Sequence, residues 1–346
     1  MNQTLYVVLL LAKIGLVFGV FMMALAYTVL LERKVLGFIQ LRHGPNRTGP
    51  WGLLQPLADG LKLFLKQDIV VSGADRFIYV LAPMLAFVAA MLPFAVVPVA
   101  PSVGPGVVSL FGHRLDLAGA GLTQGVVSDL NVGVLYVMAV GSLSVYAVVL
   151  GGWSSNSKYS LLGGLRSAAQ MISYELSVGI AVVGVVMLTG SLSLTDIVEA
   201  QARAPFVLIQ PLGFVVFLVA SFAECCRTPF DLTECDNELV AGYQTEYSSM
   251  KFALFQLAEY AHVLTVSALA VTLYLGGWQG PFLPPPVWFA LKTGVLVFFF
   301  IWVRGTLPRF RFDQLMGLGW KGLLPLSLLN VLVTAVAVTT APGRLS

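Results

Sequence analysis

Charge is what this 346-residue chain has least of: 11% of its side chains are Asp, Glu, Lys or Arg, against 58% hydrophobic. A soluble globular domain carries about a quarter charged residues, so that class is excluded. Cysteine and histidine are equally scarce, at three each. Cys225, Cys226 and Cys235 lack the spacing of a zinc or iron-sulfur cage, and each histidine stands alone in its segment. No metal centre and no redox cofactor of the chain's own is expected. A GxSxG turn and a phosphate-cradling glycine loop are also missing. The adjacent Cys225 and Cys226 are read as reduced space-fillers.

What the chain does have is length in its apolar runs. Mean hydropathy is +0.86, and eight runs reach the roughly 20 residues needed to cross about 30 Å of hydrocarbon as helices. They lie near 5–31, 77–99, 126–150, 162–188, 206–223, 252–275, 287–303 and 322–340. The expected fold is an all-α polytopic membrane protein, one integral membrane domain over 1–346 with long cytoplasmic loops. The first run is too long for a removed signal peptide.

Lys and Arg set the orientation. The connections after spans one, three, five and seven, with their edges, hold 15 of the 20 basic residues. The positive-inside rule then places these loops in the cytoplasm and both termini outside. In the first of them, Leu53, Leu54, Leu57, Leu61, Phe64 and Leu65 recur at helical spacing after HGPNRTGPWG. This predicts an amphipathic interfacial helix whose regular part follows Pro56. A gap-filling surface helix and a helix framing a portal for a lipid-soluble molecule fit it equally. The last cytoplasmic connection interleaves Arg304, Arg309 and Arg311 with Phe310, Phe312 and Trp320. At a membrane surface that pattern suits lipid headgroups or an acidic partner, not nucleic acid.

The acids are unevenly placed. Residues 224–251 carry six carboxylates against two basic side chains, over a third of the 17 acids in the chain. Glu234, Asp236 and Glu238 alternate, so at least two share a face in either regular conformation, and like charges so close titrate together. Glu175 sits at the midpoint of the fourth run, and Glu259 lies eight residues beyond Lys251 in a cluster with Gln256, Tyr260 and His262 built on three- and four-residue offsets. Intramembrane carboxylates are functional by default, with structural pairing to an arginine as the alternative for Glu175.

Four stretches carry a resemblance: LLERKVLGFIQLRHGPNRTGPWGLLQPLADGLKLFLK, GWSSNSKYSLLGGLRSAAQMISYE, RTPFDLTECDNELVAGYQTEYS and RGTLPRFRFDQLMGLGWKGLLPLSL. The chain resembles the H-subunit family of proton-pumping NADH:quinone oxidoreductases, respiratory complex I, over essentially its whole length. The resemblance implies a membrane protein joining the hydrophilic redox arm to the membrane arm, with a quinone, ubiquinone or menaquinone, as substrate. It implies a proton path through Glu175, Glu224, Glu234, Asp236, Glu238, Glu246 and Glu259. It places Arg33, Gln40, Arg42, Asn46, Arg47, Arg227, Phe230 and Asp231 on the quinone chamber or adjoining loops. FMN and iron-sulfur clusters would sit in partner subunits, among them the peripheral-arm iron-sulfur and quinone-site chains, with small and antiporter-like membrane subunits alongside. The lack of a transit segment points to a bacterial inner membrane. Cys226, Asp236 and Gln67 depart from the family's usual Asn, Glu and acid; Asp236 keeps the charge with a shorter reach, and the other two leave quinone preference open. The rival readings are the equivalent subunit of an energy-converting hydrogenase, a stand-alone proton or cation transporter, and a structural anchor.

Overall fold

The computed structural model describes residues 3–102, 107–110, 113–116, 125–231 and 242–340. In chain order the helices are α1 (Gln3–Ile39), α2 (Gln55–Leu65), α3 (Arg76–Met91), α4 (Gly133–Ser154), α5 (Lys158–Thr189) and α6 (Leu194–Ala200). There follow α7 (Phe206–Ile209), α8 (Pro211–Glu224), α9 (Ser249–Tyr274), α10 (Pro285–Thr306), α11 (Phe312–Gly317) and α12 (Leu324–Thr340). Among the described residues seven helices are long and apolar enough to cross a bilayer, and α8 is a shorter apolar one. The chain is an all-α polytopic membrane protein. A short antiparallel hairpin, β1 (Val107–Leu110) with β2 (His113–Asp116), interrupts the helices between α3 and α4.

The fifth expected span, 206–223, is broken. Pro211 disfavours the helical conformation of the residue before it, and Gln210 accordingly has φ −126° and ψ 62°, splitting α7 from α8. The buried Gln210 amide donates to the Gly184 carbonyl at 3.1 Å and to Thr334 Oγ1 at 2.6 Å, tying the break to α5 and α12. Gln210→Leu would remove both bonds inside an apolar environment, with an expected cost of about 1–3 kcal/mol, read as a lower melting temperature of the purified complex. The third long span begins at Gly133 and not near 126, because Asp129 is held in the preceding loop by Thr195 Oγ1 at 3.0 Å. The last span begins earlier than expected, at Phe312. A π-helical turn, Leu318–Leu323, joins α11 to α12 beside Pro325, which has no N–H to offer the regular ladder.

Two apolar cores divide the bundle. One joins α5, α8 and α9 through residues such as Tyr174, Phe217 and Tyr274, and the other joins α3, α4 and α9 through Tyr79, Val148 and Phe255. Small residues allow the close crossings. A Cβ on Gly152 of α4 would lie 2.5 Å from the Ser160 carbonyl, and one on Gly163 of α5 would lie 2.7 Å from Gly242 Cα in the loop before α9. That second contact holds the end of the acidic loop against the bundle.

The interfacial helix forms as α2, with Pro56 in its first turn, where its missing N–H costs nothing. Leu57, Leu61, Phe64 and Leu65 are exposed, the arrangement of a helix lying on hydrocarbon. The carbonyls of Leu63 and Lys66 at its C-terminal end accept from Ser249 Oγ at 3.0 and 2.9 Å, which fixes α2 to the start of α9.

A row of buried carboxylates beside a lateral cavity

Four elements bring charge to one point in the bundle. Glu32 of α1 is 6% exposed and accepts a hydrogen bond from Arg304 of α10. Arg227, in the turn after α8, places Nη1 3.7 Å from Glu32 Oε1 and Nη2 3.6 Å from Glu259 Oε2 of α9. Its guanidinium also lies 4.2 Å above the Tyr260 ring, so a delocalised cation serves two carboxylates and an aromatic face at once. Glu259 is held on its other side by Gln244, whose Nε2 donates to Oε1 at 2.8 Å, and Gln244 in turn accepts from Gln256 at 3.0 Å. The polar side of α9 expected from Gln256, Glu259, Tyr260 and His262 therefore faces inward.

Beyond Glu259 the row continues through two small cavities. The first, about 50 Å³, is lined by Glu259, His262, Glu224, Cys225, Cys226 and Tyr243 among others. The second, about 40 Å³, is lined by Glu224, His262, Ser221 and Glu175 within an apolar wall. A water needs about 10–15 Å³ of such space, so each cavity has room for more than one. His262 Nε2 is 3.4 Å from Glu224 Oε1, and Glu175 accepts from Ser142 of α4. Cys226 has φ 50°, in the left-handed region that asparagine tolerates better than cysteine, and its sulfur is 3.5 Å from Ser167 Oγ.

A wider cavity of about 380 Å³ opens between α1, α2 and α9. Leu30, Leu63 and Leu257 supply its apolar wall, and Arg33, Gln55, Asp59, Gln256 and Tyr260 its polar groups. Arg33 bridges to Asp59 at 2.5 Å, and Gln55 donates to Asp59 at 2.9 Å. Tyr260 lines both this cavity and the small one holding Glu32, Arg227 and Arg304, so one phenol ring separates the wide cavity from the charge cluster.

The remaining expected site residues are dispersed. Gln40 and Arg42 are exposed and bonded to each other at 2.7 Å, and Asn46 and Arg47 are exposed in the loop before α2. Phe230 and Asp231 are buried on another flank, where Phe230 stacks on Phe310 at 5.4 Å and Asp231 lies 3.2 Å from Arg309 Nη2. Glu246 is half-buried, and its carbonyl accepts from Tyr79 Oη at 2.5 Å. The neighbouring Tyr247 stacks on Tyr79 at 4.2 Å, and burial pushes its phenol up, keeping it a neutral donor. Glu234, Asp236 and Glu238, with Cys235, lie outside the described residues. Sequence patterns do not assign Glu32, His262 or Arg304 to the site, although the signal for Glu32 is present. It is the one acid at the end of the first run, directly before Arg33 and Lys34.

Such a row of buried and half-buried carboxylates, held by arginines at one end and set among helices long and apolar enough to cross a bilayer, defines a polytopic membrane protein with an ionisable interior. A family model described as NADH dehydrogenase matches residues 12–335, and the chain belongs to that family. It is 54% identical over 324 residues to an H subunit of the NADH-quinone oxidoreductase of Geobacter metallireducens, the one numbered 1, covering 94% of each chain. It is 53% identical over 336 residues to the corresponding H subunit of Syntrophotalea carbinolica, covering 97% of this chain and 98% of that one. That of Dehalococcoides mccartyi is 50% identical over 333 residues, which cover 96% of this chain and 88% of the relative.

Proposed function

We propose that this chain, a membrane subunit of an NADH-quinone oxidoreductase, admits quinone through the cavity between α1, α2 and α9 and couples its reduction to protonation changes along Glu32, Glu259, Glu224 and Glu175. The observation that carries this reading is the position of Tyr260, with the 380 Å³ cavity on one side and the Glu32–Arg227–Glu259 cluster on the other. Reduction of a quinone to a quinol takes up two electrons and two protons. The electrons come from partner subunits, in which FMN and iron-sulfur clusters reside. The charge change beside Tyr260 acts on Arg227 and its two carboxylates, and their altered protonation is handed to Glu224 and Glu175 as linked titrations.

The acidic segment 232–241 supplies Glu234, Asp236 and Glu238 to the same path. Arg33, Gln40, Arg42, Asn46, Arg47, Phe230 and Asp231 belong to the chamber and to the face that docks the peripheral-arm subunits, with small and antiporter-like membrane subunits taking up the row beyond Glu175. The single membrane domain sits in the bacterial inner membrane with its basic loops in the cytoplasm and both termini outside, as the distribution of Lys and Arg supports.

Gly60 offers a clean test. It lines the wide cavity from α2, a Cβ there meets nothing within 4 Å, and any larger residue other than proline raises helix propensity. Gly60→Phe should fold and assemble, lower kcat/KM for quinone by roughly tenfold, or about 1.4 kcal/mol, and leave NADH oxidation by a water-soluble acceptor unchanged. Unchanged quinone kinetics would show that the substrate travels elsewhere.

A further inference from the structure

Among the described residues the two small cavities share two lining side chains, Glu224 and His262, and no others. One cavity holds Glu259 and the other holds Glu175, so this pair stands where the two carboxylates' cavities meet. We propose that His262 is a proton relay between the two cavities, the group that accepts a proton on the Glu259 side and releases it on the Glu175 side. The proposal rests on the carboxylate path proposed above and names a group that this path leaves unassigned.

Imidazole suits the position. It is the side chain whose ordinary range spans neutral pH, and its two nitrogens allow uptake at one and release at the other without moving the ring. The ring is 14% exposed on the side-chain surface, with Nε2 3.4 Å from Glu224 Oε1. The groups facing it are Glu224 and Cys225 from the end of α8, Glu175 across the second cavity on α5, and Glu259, Cys226 and Tyr243 around the first. Helix α3 with the turn after it, and α4, bring only Ala86, Ala90, Pro93, Ser144 and apolar neighbours, and no charged side chain among the described residues. Every described titratable neighbour of His262 is therefore an acid, a thiol or a phenol. The ring has a carboxyl group on both sides, Glu259 across the first cavity and Glu175 across the second.

In this relay no bond other than N–H and O–H forms or breaks. A proton leaves Glu259, crosses the first cavity to one ring nitrogen, and the opposite nitrogen gives its own proton to Glu224 or, through the second cavity, to Glu175.

The experiment uses the whole complex in proteoliposomes and follows proton translocation, quinone reduction and NADH oxidation by a water-soluble acceptor. His262→Gln keeps a hydrogen-bonding side chain beside Glu224 but cannot carry a proton. It should lower coupled proton translocation roughly tenfold or more at unchanged acceptor activity, and should remove one titrating group from the pH profile of quinone reduction. His262→Ala should be slow in the same way and partly rescued by added imidazole, an outcome that a merely structural histidine does not produce. Wild-type translocation in both variants would overturn the relay. If Glu259→Gln then still stops translocation, the carboxylate row stands and only the relay falls; if Glu259→Gln also pumps normally, the proposed function itself fails. If His262→Gln does not assemble, imidazole rescue of His262→Ala decides the question alone.

Discussion

With Glu175→Gln and Glu259→Gln combined, proton translocation by the complex is expected to stop while NADH oxidation by an artificial acceptor continues at the wild-type rate. The two carboxylates lie in different cavities and on different helices, α5 and α9. Water bypassing one of them does not restore the other. Glutamine preserves shape and much of the hydrogen bonding, including acceptance from Ser142 and from Gln244, so folding is expected to survive. Positioned proton-transfer groups are worth roughly a hundredfold or more each, which puts the double variant below detection in a vesicle acidification assay. A structural anchor would tolerate both changes. Full translocation in the double variant would return the chain to that reading.

Arg227→Met is expected to have the largest effect on stability. Arg227 is 8% exposed, and its guanidinium faces Glu32, Glu259 and the Tyr260 ring. Removing it leaves Glu32 with Arg304, but leaves Glu259 with Gln244 and Tyr243 and no cation among the described residues. Stranding one partner of a buried ion pair typically costs about 3–5 kcal/mol. Loss of assembled complex, or a markedly lower melting temperature in detergent, is the expected readout. Adding Glu259→Gln to Arg227→Met should recover part of the loss, because the buried charge is then removed as well, and a double-mutant cycle gives the coupling directly. A loss in the double variant equal to the sum of the two single losses would mean that Arg227 and Glu259 do not depend on each other.

Much of this architecture is legible in composition and spacing. The scarcity of charge dictates helices in lipid, and Pro56 marks where α2 can begin. The offsets of Gln256, Glu259 and His262 put a polar side on α9. Other features are out of reach for physical reasons. The break at Gln210 is signalled only by Pro211, in a run apolar enough to read as continuous, and what fills the break comes from Gly184 and Thr334 on distant helices. Glu32 looks like one flanking charge beside Arg33 and Lys34 until folding turns it inward to Arg304. The two cavities exist only where α3, α4, α5, α8 and α9 converge. No pattern along one helix announces a space between several.

Helix α1 has 37 residues, about 56 Å of rod, set against a hydrocarbon slab of roughly 30 Å. A span that exceeds the slab tilts, kinks or thickens the bilayer around it. The helix is pinned where Glu32 meets Arg304 and again where Phe21 packs on Phe94 at 4.6 Å. Between α1, α9 and α10 lies a second apolar space of about 520 Å³, and only 6% of the apolar stretch of α1 is buried in the rest of the chain. So long an apolar rod, so little of it covered by its own chain, leaves most of its surface to be covered from outside.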